Sequence, residues 1–462
     1  MFVSSYSLFR LSILSMAIVS FTVPVSLFSQ ELGDTSTAET DEVPPVVDPA
    51  EETEDTPAET EASSEEATEE SSSAADAETA QADPPIETDT IETDTTETDT
   101  TETDTATASQ EAALADIDPA AAAADFAAAM DQWRARLKEI RGIQAEYSVA
   151  EETELAAIEQ RFRAKIDEFN NFLPIARRAA MDAYSVSPGD DRELSKFLMQ
   201  MLNDDVVQDR FEDASALSQL LIAGGCVEKG IKNLAGISAF ALSDFETALQ
   251  YLRDADIRGT ISEQGTNCLG YLSDAGTLES QWAEELAIRE AEATADDLPR
   301  AKLVTDMGDI VLELFENEAP DTVGNFMSLI EQGFYDGLAF HRVIEGFMAQ
   351  GGCPNRDGSG GPGYNIYCEC ENDNHRNHFR GSLSMAKTAA RDTGGCQFFI
   401  AHIPTVHLNG QHTVFGRVLE GMDLVSDIPA RDPSDQTGEM VQIVRAEVIR
   451  KREHEYVPNK VQ

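Results

Sequence analysis

Seven side chains between residues 342 and 408 stand out for the chemistry they could do together. Arg342 carries a planar fork of donors, and an arginine stays charged at any working pH. Gln350 and Gln397 offer carboxamides that can hold neighbouring backbone and orient that guanidinium. Phe347, Met348, Phe399 and Leu408 could line an apolar slot. This set suits a barrier that needs no acid, base or nucleophile. Rotation about an X–Pro amide is such a barrier, about 18–20 kcal/mol of lost resonance. It is lowered by a dry slot for the proline ring and by donors that favour the twisted, pyramidal nitrogen over the planar amide. Without their surroundings the same residues read differently. An Arg following His341 on a strand is then a solvated or ion-paired side chain, and Phe and Met at such spacing are core.

The elements that must position these residues begin with an alternating strand, Ile310-x-Leu312-x-Leu314, after a Met307-Gly308-Asp309 turn. Ala319-Pro320-Asp321 then starts a helix with Val323, Phe326, Leu329 and Ile330 on one face, closed by Gly333. Five blocks follow in order: Phe340-His341-Arg342-Val343-Ile344, Gly346-Phe347-Met348-Ala349-Gln350-Gly351-Gly352, Gly381-Ser382-Leu383-Ser384-Met385-Ala386, Gly394-Gly395-Cys396-Gln397-Phe398-Phe399-Ile400, and His412-Thr413-Val414-Phe415-Gly416-Arg417-Val418. In that order they resemble the cyclophilin family of peptidyl-prolyl cis/trans isomerases, over residues 302–450. The resemblance implies an eight-stranded antiparallel β-barrel capped by two helices, with the site on its outer face. It implies Arg342 as the catalytic residue and Phe347, Met348, Gln350, Ala386, Lys387, Gln397, Phe399, His407, Leu408 and His412 as the substrate-binding set, with no cofactor and no metal.

Three departures from the family pattern bear on the site. His407 stands where many cyclophilins carry a pocket-edge Trp, so ring area is lost and weaker binding of cyclosporin is expected. Cys396 replaces a small hydroxyl residue before Gln397. The loop 387–393 is one residue longer than the commonest version, so Ala386, Lys387 and Ala389 map onto substrate-binding backbone only approximately. His341 and His412 have no proton-transfer task in this reaction and are read as positioning or packing residues.

Upstream, residues 112–298 read as an all-α region. Residues 120–140 carry Phe126, Met130, Trp133, Leu137 and Ile140 at three- and four-residue steps. A second amphipathic stretch, 155–172, is expected to end before Pro174, with shorter helices at 177–184 and 192–202. Residues 213–289 read as helical hairpins. Gly236, Phe240, Phe245, Ala248, Leu249, Leu252 and Ala255 resemble one tetratricopeptide unit, whose small residues let two helices approach closely. An ordinary helical bundle accounts for the same spacing.

The charge sorts the remaining chain. The protein has 462 residues and a formal charge of −53. Residues 31–110 hold 27 acidic residues and no Lys or Arg, residues 300–462 carry a net −8, and residues 111–299 carry −19. Such a chain repels phosphate backbones and anionic membrane surfaces, which argues against nucleic-acid binding. Residues 30–111 are low-complexity, with IETDT twice and TETDT twice across residues 86–105. They bury too little apolar surface to offset chain entropy, so a disordered acidic linker is expected. No loop there has the spacing of a defined calcium site. In residues 1–29, Arg10 precedes the apolar stretch 11–27, with Ser26 and Ser29 beyond. That is the order of an export signal. An uncleaved membrane anchor is the alternative, although 17 residues broken by serines fall short of a span of about 20.

Six cysteines remain, and in an exported chain an even count favours disulfides. Cys226–Cys268 could staple two helices, and Cys353 could bridge to Cys368 or Cys370. Cys368-x-Cys370 with His375 and His378 also allows a metal reading, at a spacing unlike a standard zinc site. The chain is therefore expected to be multidomain: export signal 1–29, acidic linker 30–111, helical region 112–298, isomerase domain 299–453 and tail 454–462. Its expected function is X–Pro isomerisation of exported, proline-containing polypeptides in the periplasm or cell envelope. A proline-binding adaptor with little turnover, recruiting protein partners through the helical region, is the alternative.

Overall fold

Among the described residues, Asp118 opens the first helix, its carboxylate accepting from Ala120 N at 3.0 Å with Pro119 in the first turn. The structure, a computed structural model, describes residues 117–189, 191–434 and 440–461. The expected export signal and acidic linker lie outside these residues. Helix α1 (Pro119–Tyr147) buries Phe126, Met130, Trp133, Leu137 and Ile140 against α2 (Glu152–Val186). Helix α2 does not end before Pro174. It runs 35 residues straight through it. The proline forfeits one backbone bond, but Phe169, Phe172, Ala176 and Ala180 continue a single buried stripe on both sides, and that packing holds the helix together.

Helices α3 (Arg192–Val207) and α4 (Phe211–Ala223) extend the bundle. Helices α5 (Ile231–Ala241) and α6 (Phe245–Ile257) form a tight hairpin. A Cβ on Gly236 would stand 2.7 Å from Leu252 Cγ, so only glycine permits the approach. Helix α7 (Glu263–Tyr271), a 3₁₀ turn (Leu272–Asp274) and α8 (Ala275–Ala295) lead into the sheet. No helix among the described residues is long and apolar enough to cross a membrane.

The sheet has eight antiparallel strands: β1 (Arg300–Thr305), β2 (Asp309–Leu314), β3 (Phe340–Ile344), β4 (Met348–Gly351), β5 (Ser382–Met385), β6 (Phe398–Ala401), β7 (Val414–Glu420) and β8 (Ile443–Arg450). Their order is β3-β4-β6-β5-β7-β2-β1-β8. The expected barrel is a curled sheet whose edge strands β3 and β8 share no ladder. Its seam is closed by single bonds, Phe340 N to Val441 O at 3.0 Å and Ile443 N to Leu338 O at 2.7 Å. The helices α9 (Pro320–Glu331) and α10 (Met422–Ser426) accompany it. Phe326, Tyr335, Phe340, Phe398 and Phe415 meet edge-on inside. The tail does not hang free: Tyr456 is buried against this core, and Lys460 bridges to Ile366.

The helical region packs against the sheet domain over a charged and aromatic seam. Phe379 and Ile403 of the sheet domain join the helical core, Phe379 with its ring 4.7 Å from that of Trp282. Arg380 is held bidentate by Glu212, at 2.9 and 3.0 Å.

All six cysteines are free thiols. Of the two states the sequence left open, free thiol and a Cys226–Cys268 staple, the structure has the thiols: Cys268 is buried in the helical core, and Cys226 is half-buried beyond α4. Cys353 does not bridge either. Its sulfur accepts from Gly360 N at 3.2 Å, while the sulfurs of Cys368 and Cys370 face each other at 2.8 Å.

Candidate active site

Side chains alternate across a strand, so Ala349, Phe398 and Ile400 point into the core while Met348, Gln350 and Phe399 point outward. Register then does the assembly. Arg342 pairs with Gln350, Gln350 with Phe399 and Phe399 with Ser384, one row across β3, β4, β6 and β5. Met348 lies one step along the same outer face, opposite Ala401.

Arg342 is half-buried and makes no ion pair among the described residues. Its Nη1 reaches Gln350 Oε1 at 3.4 Å, Gln350 Nε2 donates to Gln397 Oε1 at 3.0 Å, and Gln397 Nε2 donates to the carbonyls of Gly358 and Gly360 at 2.7 and 2.9 Å. This amide relay holds the guanidinium from behind and leaves most of its donors open to a ligand. Phe347, in the β3–β4 turn, stacks on His407 with centroids 5.6 Å apart. His407 and Leu408 share a 3₁₀ turn (Val406–Leu408), and the Leu408 carbonyl accepts from His412 N at 3.1 Å. Phe399 meets His412 edge-on at 5.7 Å. Ala386 and Lys387 follow β5, with Ala386 N donating to Gln397 O at 2.9 Å and Lys387 Nζ turned onto Thr388 O. The eleven residues expected at the site thus lie on one outer face and its rim loops. His412 Nδ1 donates to the Met385 carbonyl at 3.1 Å. Burial lowers the His412 pKa, the Met385 bond opposing it. Burial also lowers those of His407 and His341. In each case the cause is the cost of burying the charged ring.

One supporting residue has, in the sequence, only the signal of a metal candidate. His378, buried, lies flat behind Phe399, ring planes 2° apart and centroids at 5.8 Å. Its Nδ1 donates to Asn409 Oδ1 and its Nε2 lies 3.0 Å from Ser384 Oγ, so no ring nitrogen remains for a metal. Its spacing from Phe399 carries no signal, because the contact runs across the sheet.

Burial pushes the His378 pKa down to about 3, against the Asn409 bond, from an ordinary value of 6.5. Between those values the unfolded chain binds the proton and the folded chain does not, so this group makes stability rise with pH. We expect it to contribute a loss of up to about 1.4 kcal/mol per pH unit as pH falls below about 6. Urea denaturation of the parent and of His378→Gln at pH 4, 5 and 7 checks this: the variant should show the shallower dependence, and equal slopes would refute it.

A family model described as cyclophilin type peptidyl-prolyl cis-trans isomerase/CLD matches residues 300–448. Peptidyl-prolyl cis-trans isomerase B of Bacillus subtilis is 54% identical over 130 residues, 28% of this chain and 90% of that protein. A peptidyl-prolyl cis-trans isomerase of Synechococcus elongatus is 58% identical over 120 residues, 26% of this chain and 80% of that protein. Among solved structures, a cyclophilin type peptidyl-prolyl cis-trans isomerase of Cryptosporidium parvum aligns over 34% of this chain and 99% of that chain, at 29% identity and a TM-score of 0.30.

Proposed function

We infer the roles of individual side chains from one premise: the chain belongs to the cyclophilin-type peptidyl-prolyl cis/trans isomerase family and is a peptidyl-prolyl cis/trans isomerase. Arg342 is the catalytic residue. The observation that carries this is a half-buried guanidinium with no carboxylate partner among the described residues, steadied by the Gln350–Gln397 relay beside Phe399.

The chemistry follows from what the planar amide loses on twisting. As resonance is lost, the prolyl nitrogen becomes pyramidal and gains a localised lone pair. A donor aimed at that lone pair binds the twisted state more tightly than the planar one, which is the condition for a lower barrier. The loss of amide charge separation also makes an apolar surface a better surrounding than water. Met348, Phe399, Phe347 and Leu408 supply that surface. Gln350, Gln397, Ala386 and Lys387 hold the flanking peptide backbone, and His407 and His412 form the rim. A protease-coupled assay of the full chain on a prolyl tetrapeptide tests the assignment; turnover unchanged in Arg342→Ala would remove it.

Action on exported polypeptides is the second part of the proposal. It is supported by Arg10 ahead of the apolar stretch 11–27 and the small residues Ser26 and Ser29. Cell fractionation should recover the full-length product in the periplasm or envelope and retain a chain lacking residues 1–29 in the cytoplasm. The same compartment for both would overturn this part.

A further inference from the structure

The helical region reaches the site at two points. At the first, Asp209 sits in the left-handed conformation, φ 56°, just past α3 and turns its carboxylate into the sheet domain. Both its oxygens accept from Gly346 N, at 2.8 and 2.9 Å, and Oδ2 lies 2.6 Å from His402 Nδ1. His402 N in turn donates to the Phe347 carbonyl at 2.9 Å. The turn carrying Phe347 is therefore held from behind. It is also pressed against α7: a Cβ on Gly346 would stand 2.5 Å from Gln264 Nε2.

At the second point, Tyr271, the last residue of α7, places its hydroxyl 2.8 Å from His407 Nδ1. Its ring lies nearly parallel to that of His407, centroids 5.8 Å and planes 13° apart, and nearly parallel to that of Phe240, at 6.1 Å and 18°. With the Phe347–His407 stack, four rings stand in a row: Phe240, Tyr271, His407 and Phe347. The row begins in the helical core and ends on the proline site.

We propose that Tyr271 is a positioning residue of the isomerase, holding His407 so that helix Glu263–Tyr271 forms one wall of the substrate groove. His407 is exposed on its 3₁₀ turn. Left alone, such a ring would sample several rotamers, and ordering it would fall to the substrate. Packed against Phe347 and bonded through Nδ1 to the Tyr271 hydroxyl, it is ordered before substrate arrives. This also answers the loss of ring area at His407, since Tyr271 continues the aromatic surface beyond it. A wall contacts planar and twisted peptide alike, so its effect falls on KM rather than kcat.

The inference rests on the assignment of Phe347 and His407 to the proline site. The test is a double-mutant cycle in the full chain, Tyr271→Ala, His407→Ala and the pair, with Tyr271→Phe alongside, read as kcat and KM on a prolyl tetrapeptide. Tyr271→Ala should raise KM by about three- to tenfold at nearly constant kcat, and less than about twofold once His407 is already Ala. Tyr271→Phe, keeping the ring and losing the bond, should fall between parent and Tyr271→Ala. An equal increase in both backgrounds, or a KM unchanged in Tyr271→Ala, overturns the proposal. Should Tyr271→Ala fail to fold, Tyr271→Phe decides, with parental KM overturning it. If His407→Ala itself leaves KM unchanged, the site assignment beneath the proposal falls instead.

Discussion

Arg342→Ala, in the full chain, is expected to lower kcat/KM for a prolyl tetrapeptide by about a hundred- to a thousandfold, the usual cost of removing one donor aimed at the transition state. The fold should survive, because the side chain is half-buried and its bond to a protein partner is the 3.4 Å contact with Gln350. Most of the loss should lie in kcat. The guanidinium gains its strongest acceptor only when the prolyl nitrogen becomes pyramidal, whereas Met348, Phe399 and Phe347 bind the planar and twisted forms similarly. Arg342→Lys should recover little of the rate. An ammonium lacks the planar fork that can accept orientation from Gln350 and still donate forward. The protease-coupled assay, with circular dichroism to confirm folding, decides: a variant within a few fold of parent would show that the rate comes from the apolar slot alone.

Arg376→Ala should produce the largest loss of stability, about 3–5 kcal/mol, because it strands two acidic side chains inside the seam. The Arg376 side chain is 2% exposed. Glu285 holds it bidentate, Nε to Oε2 at 2.7 Å and Nη2 to Oε1 at 2.9 Å, and Glu292 Oε1 takes Nη1 at 2.6 Å. The guanidinium also lies 3.9 Å over the Phe315 ring. Burial by itself would raise the Glu285 carboxyl pKa, but Arg376 and Arg289 outweigh it and hold the group below the usual carboxylate range. Without Arg376 that compensation is mostly gone, and a carboxylate must take up a proton or the seam must open to water. Urea denaturation followed by far-UV circular dichroism should show the midpoint moving down sharply, with the helical region and the sheet domain losing their common transition. An unfolding free energy within about 0.5 kcal/mol of parent would mean that water already reaches these groups.

Much of the sheet domain was legible in residues alone, for a physical reason. Strands, turns and the outward row of Arg342, Gln350 and Phe399 follow from period-2 alternation, which is local, and from blocks whose order the cyclophilin family shares. The expected departures at His407 and Cys396 were visible in the same way. Where reading failed, a local rule met a tertiary force. Pro174 suggested a helix end, yet one buried stripe carries α2 through it. An even cysteine count allows bridges as well as free thiols, and which of them forms depends on where the sulfurs stand, which counting does not supply.

The sequence by itself determined the groups available for the chemistry: an arginine, two glutamines and an apolar set, in blocks whose order the cyclophilin family shares. Only the tertiary structure decided what stands around that chemistry. His378 behind Phe399, Asp209 beneath the β3–β4 turn and Tyr271 against His407 are packing partners, the last two from 137 and 136 residues away. Stacking and hydrogen bonding depend on distances of a few ångströms, and sequence separation of that size carries no such distance until the helical region docks on the sheet.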